Sequence, residues 1–309
     1  MQDKSLVLGY AQNSLERPVK RGYVMLSGGH FEPEQGEAVV TDFHILSAGK
    51  SVDDHVEIRQ IGVSDVFDAL RQGYGDFILK PSHYIFVVMM FPVIGVVLFT
   101  WASGGNTFQL LFPLLTGFAL IGPFAGLGLY EISRRLEMGA DASWRNALGV
   151  FKSPAIPAIL AVGALLVGIF LVWMVVAQGL YFWFYGGVHQ NSINEFFLDV
   201  ITSQRGWLLI LVGNGIGFVF ALTVLCTTVI AFPLLLDRDV GANSAIKASL
   251  RAVQVNPVPM LLWGIIVALG LFLGSLPGLA GLVFVLPVLG HATWHIYRKV
   301  VVGSRPVEV

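Results

Sequence analysis

The sequence contains little charge and a single cysteine. Only 13% of its 309 residues are charged, whereas soluble domains carry roughly 25%, so the chain lacks the polar surface of a soluble protein. The one cysteine, Cys226, cannot form an internal disulfide, and no CxxC motif or Cys/His metal spacing is present. The net charge of -1 argues against nucleic-acid binding by bulk electrostatics.

Motifs of the common enzyme classes are also missing. There is no P-loop, dinucleotide-binding fingerprint, nucleophile elbow or lipid-anchor signal. Between Met1 and Pro18 no apolar run reaches the length of a signal peptide, so we expect no cleaved signal. The sequence therefore predicts no catalytic residue, no cofactor and no metal.

Long apolar blocks are what the sequence does contain. Hydrophobic residues make up 55% of the chain and the mean hydropathy is +0.73. A bilayer is crossed by about 20 apolar residues, and these must be helical because lipid offers no partners to backbone N–H and C=O groups. We predict an all-α membrane protein of about six spans, at about 84–101, 108–130, 156–185, 208–236, 260–276 and 279–294.

Basic residues mark one side of the membrane. They occupy every second connection: Arg134, Arg135, Arg145 and Lys152, then Arg238, Lys247 and Arg251, then Arg298, Lys299 and Arg305. The alternate loops contain one basic residue, Arg205. The positive-inside rule places the basic connections in the cytoplasm, and six spans then place both termini there. Residues 1–60 are polar, and we expect a mostly disordered cytoplasmic tail, with a small folded cap as the alternative.

The cytoplasmic segments resemble one another. A glycine (Gly62, Gly139 or Gly241) begins each segment, two residues before a Ser, Asp or Asn that could cap a helix, and a proline closes each segment before a span. We therefore predict three pseudo-repeated hairpins, each preceded by a cytoplasmic amphipathic helix. The units are about 61–138, 139–240 and 241–301, and residues 302–309 form a cytoplasmic end.

Several strings in the sequence point to a known family. They are Gly117 to Arg135, Ala231 to Gly241, Gly290 to His295, Ile61-Gly62 and Asn256-Pro257. Together they resemble the bacterial integral-membrane family DUF2189, a domain of unknown function, over about 61–301. The resemblance implies a protein of the bacterial inner membrane. It supplies no activity, substrate or catalytic residue.

Polar residues near the cytoplasmic ends of the spans, with one inside a span, form the candidate polar site. They are Glu131, Arg134, Asp237, Arg238, His291, His295 and Asn214. The alternative for Glu131 is local pairing with the arginines that follow it, and the alternative for Asn214 is a hydrogen bond that bridges two helices. His291 and His295 share a helix face, but the Glu of a His-Glu-x-x-His hydrolase is missing between them.

Three classes of function are compatible with these features. The favoured hypothesis is a non-enzymatic accessory or assembly protein that binds lipids of the bilayer or a membrane-protein partner, and that does not bind nucleic acid. The alternative is a small-solute carrier or channel with a polar site at the cytoplasmic helix ends. A membrane enzyme that acts on lipid or uses a metal is the third hypothesis, and the sequence does not indicate the oligomeric state.

Overall fold

The computed structural model describes residues 56–80, 112–113, 116, 122–186, 193–277 and 280–303. Over these residues the fold is helical, and its only extended pairing is an isolated antiparallel bridge between Ile58 and Val301. The helices of this part are α1 (Val63–Leu79), α2 (Gly122–Ala125), α3 (Leu127–Glu137), α4 (Trp144–Ala147), α5 (Ile156–Tyr185), α6 (Ile193–Thr202), α7 (Gln204–Thr228), α8 (Ala231–Asp237), α9 (Ala242–Val255), α10 (Pro257–Ser275) and α11 (Leu282–Val300). The predicted first span, most of the second and the tail up to residue 55 lie outside the described residues.

Three helical segments of the described chain are long and apolar enough to cross a membrane. They are Ile156–Tyr185, Gln204–Asp237 and Pro257–Ser275, which confirms the predicted third, fourth and fifth spans. In their most apolar stretches only 28%, 50% and 22% of the residues are buried, so much of each span faces outward. The 30 residues of α5 extend about 45 Å, which exceeds a hydrocarbon core of about 30 Å; α5 must tilt or project from it.

The fourth span is interrupted between α7 and α8. Pro233 has no N–H to donate to the carbonyl four residues earlier, so the helical hydrogen-bond ladder is broken there. The N–H of Ile230 at this break donates instead to Ser249 Oγ of α9, at 3.3 Å. A side chain of a neighbouring helix therefore stabilises the break.

The predicted sixth span, at 279–294, is not confirmed. Its residues from Leu282 onward lie in α11, which continues to Val300 and is not among the three candidate spans. The first half of α11 is apolar, but its second half contains His291, His295, Arg298 and Lys299. This polar half packs inside the protein, where His291, Trp294 and Tyr297 are buried.

The three predicted cytoplasmic helices differ from one another. The first and third are present as α1 and α9, but the second is only the four-residue α4 followed by a 3₁₀ turn, Leu148–Lys152. The helix caps also differ from the prediction, because Gly62 and Gly241 themselves are the N-cap residues. At Gly62 the backbone N–H donates to Asp65 Oδ2 at 2.8 Å. The repeat is therefore not confirmed.

Helix α1 packs antiparallel along α11. Its start lies beside the end of α11, where Lys299 Nζ is 3.3 Å from Asp65 Oδ1. Its end lies beside the start of α11, where the rings of Phe77 and Phe284 meet edge to face with centroids 6.2 Å apart. Between these contacts the backbones approach closely at Gly73, because a Cβ there would lie 2.4–2.8 Å from Ala292.

The chain ahead of α1 is held by backbone pairing and by one asparagine. Arg59 N–H donates to the carbonyl of Val300 at 2.7 Å, and Val302 N–H donates to that of Glu57 at 3.0 Å. The buried Asn256 amide accepts from Ile61 N–H at 2.8 Å and donates to the Arg59 carbonyl at 3.0 Å. This anchored segment begins ahead of Ile61, the predicted start of the membrane domain.

The close approach at Gly73 leads to a prediction with a matched control on the same helix. Gly73→Ala should lower the free energy of unfolding by about 1–3 kcal/mol, because the added methyl meets the Ala292 backbone. Gly75→Ala, which meets nothing within 4 Å, should be neutral or stabilise α1 by up to about 1 kcal/mol. Thermal unfolding of the detergent-solubilised protein measures both, and equal midpoints for the two variants would contradict the packing of α1 on α11.

Candidate functional site

A chain of hydrogen bonds joins four polar side chains where α1, α3 and α11 meet. Ser133 Oγ of α3 donates to Asp76 Oδ2 of α1 at 2.6 Å and lies 2.6 Å from His291 Nδ1. On α11, His295 Nε2 lies 2.9 Å from the same oxygen of Asp76. Ser133 and His291 are buried, whereas the side chains of Asp76 and His295 are each 14% exposed. The chain therefore leads from the protein surface to a buried imidazole.

The carboxylate of Asp76 is the acceptor at the centre of this cluster. Partial burial disfavours its charge, but hydrogen bonds from His295 and Ser133 and the charges of the two histidines outweigh this and lower the pKa of Asp76 below 3.8. With Asp76 ionised, Ser133 donates its one hydroxyl proton to the carboxylate. The hydroxyl oxygen of Ser133 can then only accept from His291, which requires the ring proton of His291 to be on Nδ1. All the donors then point towards Asp76.

The arrangement of Ser133 differs from that of a catalytic nucleophile. In an acyl-transfer triad the carboxylate orients the histidine and the histidine binds the serine, whereas here the serine lies between carboxylate and histidine. Ser133 is also only 1% exposed, so a substrate cannot reach it in this conformation. The chemistry that the cluster supports is the holding or relaying of a proton.

Glu131 forms a second polar group with the two arginines that follow it. Its carboxylate accepts from Arg134 Nε at 2.8 Å and from Arg135 Nε at 2.6 Å. Glu131 is only 3% exposed, and a buried carboxylate of this kind needs such partners. This contact is the local pairing that the sequence offered as the alternative to a role in binding.

A third polar group connects α8 and α3 to the end of α11. Tyr297 Oη donates to Asp237 Oδ2 at 2.6 Å. Arg298 pairs with Glu137 at 2.8 Å and lies 3.9 Å from Asp237, and Trp294 Nε1 donates to Glu137 Oε2 at 3.1 Å. These bonds hold the ends of three helices together.

The predicted site residues fall into two sets. Six of them are divided among three polar groups: Glu131 with Arg134 on α3, His291 and His295 with Asp76 and Ser133, and Asp237 with Arg238 near the end of α11, where Arg238 donates to the carbonyl of Val302 at 2.8 Å. The seventh, Asn214, is exposed on α7 and donates to the Ile210 carbonyl of its own helix at 2.7 Å. Within the described part of the chain its amide bonds to its own helix, so the interhelical bridge remains a prediction.

Sequence reasoning missed Asp76, Ser133, Glu137 and Tyr297. The signal for Asp76 was present, because it continues the row of Val66, Ala69 and Gly73 on the face of α1 that packs against the rest of the protein. A carboxylate in such a row requires a buried partner. Among the described residues, no group of three or more His, Cys, Asp or Glu side chains is suited to a metal ion.

Comparison with known proteins identifies one family. A family model described as "Predicted integral membrane protein (DUF2189)" matches residues 111–237, which confirms the resemblance seen in the sequence. The matched range contains Glu131, Ser133 and Asp237, whereas Asp76 and the two histidines of α11 lie outside it. No curated protein and no solved structure matches the chain.

Replacement of Asp76 tests the cluster through stability. Asp76→Asn should cost about 1.5–3 kcal/mol of unfolding free energy at neutral pH, because it removes a hydrogen-bonded charge. The folded-state pKa of Asp76 is below its ordinary value of 3.8, so its contribution is complete above about pH 4 and is lost as the pH falls through the folded value. The difference in unfolding free energy between the wild type and Asp76→Asn should therefore become smaller in acid. Unfolding measured at several pH values checks this.

The matched control is Asp68→Asn on the same helix. Its side chain is 61% exposed and lies 3.8 Å from Lys299, and such exposed pairs contribute at most about 1 kcal/mol. If the two variants lost the same stability, or if the effect of Asp76→Asn did not depend on pH, the assigned role of Asp76 would be wrong.

Proposed function

We propose that this integral membrane protein is a non-catalytic binding protein that acts on a second membrane protein or on lipids, in an accessory or assembly role. We place it in the bacterial inner membrane with both termini in the cytoplasm, and with six spans arranged as three units. The observation that carries the proposal is a contrast in the described chain. Its buried polar groups bind one another, whereas its spans present broad apolar faces outward.

The apolar faces are large on both long spans. Leu171, Val175 and Trp183 of α5 are 56%, 73% and 83% exposed, and Leu211 of α7 is 66% exposed. Between α5 and α7 lies an apolar cleft of about 390 Å³, lined by residues such as Ile169, Val172 and Phe220. Surfaces of this kind bind acyl chains or other apolar helices and offer no group that could perform chemistry.

The polar interior supports the same function. Glu131, Ser133 and His291 are at most 3% exposed, and each is bound to a side chain of the same protein. Buried pairs of this kind hold helices in one arrangement, and loss of one partner is strongly destabilising. Their role in the proposal is to fix the ends of the helices relative to one another.

A carrier or channel is the second candidate, because of one specific observation. The hydrogen bonds from His295 through Asp76 and Ser133 to His291 connect a partly buried imidazole with a fully buried one, and such a chain can carry a proton. Asn214 gives this candidate no support, since its amide is bonded to its own helix on an exposed face.

Site-specific photo-crosslinking in intact membranes tests the binding function. A photoreactive residue at Val175, which is 73% exposed, should crosslink to a second protein or to lipid. The same residue at Val162, which is buried in the same helix, should crosslink only within the chain. Products are identified by mass spectrometry of the purified adducts, and recovery of Val175 adducts with this chain alone would contradict the proposal.

Proton flux in reconstituted vesicles separates the two candidates. For a binding protein, vesicles containing the wild type and vesicles containing Ser133→Ala should show the same flux as empty vesicles, measured with an entrapped pH-sensitive dye. A flux that requires the wild-type protein and is lost in Ser133→Ala would favour the carrier, because this substitution removes the hydroxyl that joins Asp76 to His291.

A further inference from the structure

The outward face of α9 is basic and contains no acidic residue. Four residues apart, Lys247 and Arg251 are exposed on the same face, with Leu250 beside them at 38% exposure. The opposite face packs into the protein through small side chains: Ala242, Ala245, Ala248, Ser249 and Ala252. Helix α9 therefore combines a fixed inner face with a cationic outer one.

The four basic residues of α3 and α11 pair with carboxylates of the same protein. Arg134 and Arg135 pair with Glu131, Arg298 pairs with Glu137, and Lys299 pairs with Asp65. Within the described part of the chain, no carboxylate forms a salt bridge with Lys247 or Arg251. The two side chains remain available for an anion from outside the protein.

The position of α9 identifies the source of that anion. The spanning helix α10 begins at Pro257, six residues after Arg251, which corresponds to about 9 Å along a helix. This is comparable to the Debye length of about 8 Å at physiological ionic strength. The first exposed residues of α10, Val258 and Leu261, are apolar, so acyl chains can lie against α10 while headgroups reach α9.

We propose that Lys247 and Arg251 form a binding site for the phosphate of an anionic phospholipid headgroup at the surface of the bilayer that α10 crosses. The site deepens the proposed function by naming the lipid class. Arg251 also lines a shallow cleft of about 470 Å³ with Val56, Glu57 and Ile58. The carboxylate of Glu57 could accept the ammonium of a zwitterionic headgroup, so phosphatidylethanolamine is the necessary comparison lipid.

Native mass spectrometry of the purified full-length protein tests this site, with phosphatidylglycerol, phosphatidylethanolamine and inorganic phosphate as probes. We expect tighter binding of phosphatidylglycerol than of phosphatidylethanolamine, and no retained inorganic phosphate. Loss of both interfacial cations in Lys247→Gln with Arg251→Gln should weaken phosphatidylglycerol binding roughly thirtyfold, at about 1 kcal/mol for each cation. Equal or tighter binding of phosphatidylethanolamine, or retention of phosphate alone, would overturn the proposal.

A second double variant provides the matched control. Arg59→Gln with Arg71→Gln removes the same two positive charges from exposed positions on or beside α1 and should retain phosphatidylglycerol binding. An equal loss in both double variants would mean that net charge, rather than α9, attracts the lipid. Unfolding midpoints without lipid verify that both variants fold. The result is independent of crosslinking at Val175, so failure of the lipid site and failure of the binding function can be distinguished.

Discussion

The close approach of α1 and α11 at Gly73 and Ala292 is the constraint on which the polar cluster depends. With no side chain at Gly73, the two backbones can come together, and Asp76, one turn further along α1, then reaches His295 and Ser133. A wider separation would leave a partly buried carboxylate without donors, at a cost comparable to several hydrogen bonds. Packing and electrostatics at this interface are therefore inseparable.

Pairing of buried charges is the second consequence of this arrangement. Glu131 and Asp237 lie in a largely apolar interior, where an isolated ion is too costly to persist. Arginine and tyrosine donors satisfy them, and Arg298 connects Asp237 with Glu137. The contacts of Asp237, Glu137 and Arg298 join α3, α8 and α11, and they therefore fix the relative positions of helices that would otherwise be held by apolar packing alone.

Local sequence signals predicted some parts of this structure well. The bounds of α5 follow directly from one uninterrupted apolar run, and α9 and α10 follow from an amphipathic pattern that ends at Pro257. Local signals could not predict the structure around the sixth span. The polar half of α11 packs against α1, which lies more than 200 residues earlier in the chain. Asp76 was missed for the same reason, because its importance arises only from tertiary docking. The pairing of Glu131 could be predicted from the sequence, since its partners are three and four residues away.

The polar groups that are already bound within the protein are separated from the surfaces that remain open to a ligand. Interior carboxylates bind the cations around them, and the hydroxyl of Ser133 and the imidazole of His291 are buried away from solvent in this structure. What remains is the outer surface of the described helices, which is apolar along the spans and cationic on α9. Both properties match a bilayer, whose core is apolar and whose surface can carry anionic headgroups. In the proposed binding function, the ordered interior therefore serves to present this outer surface.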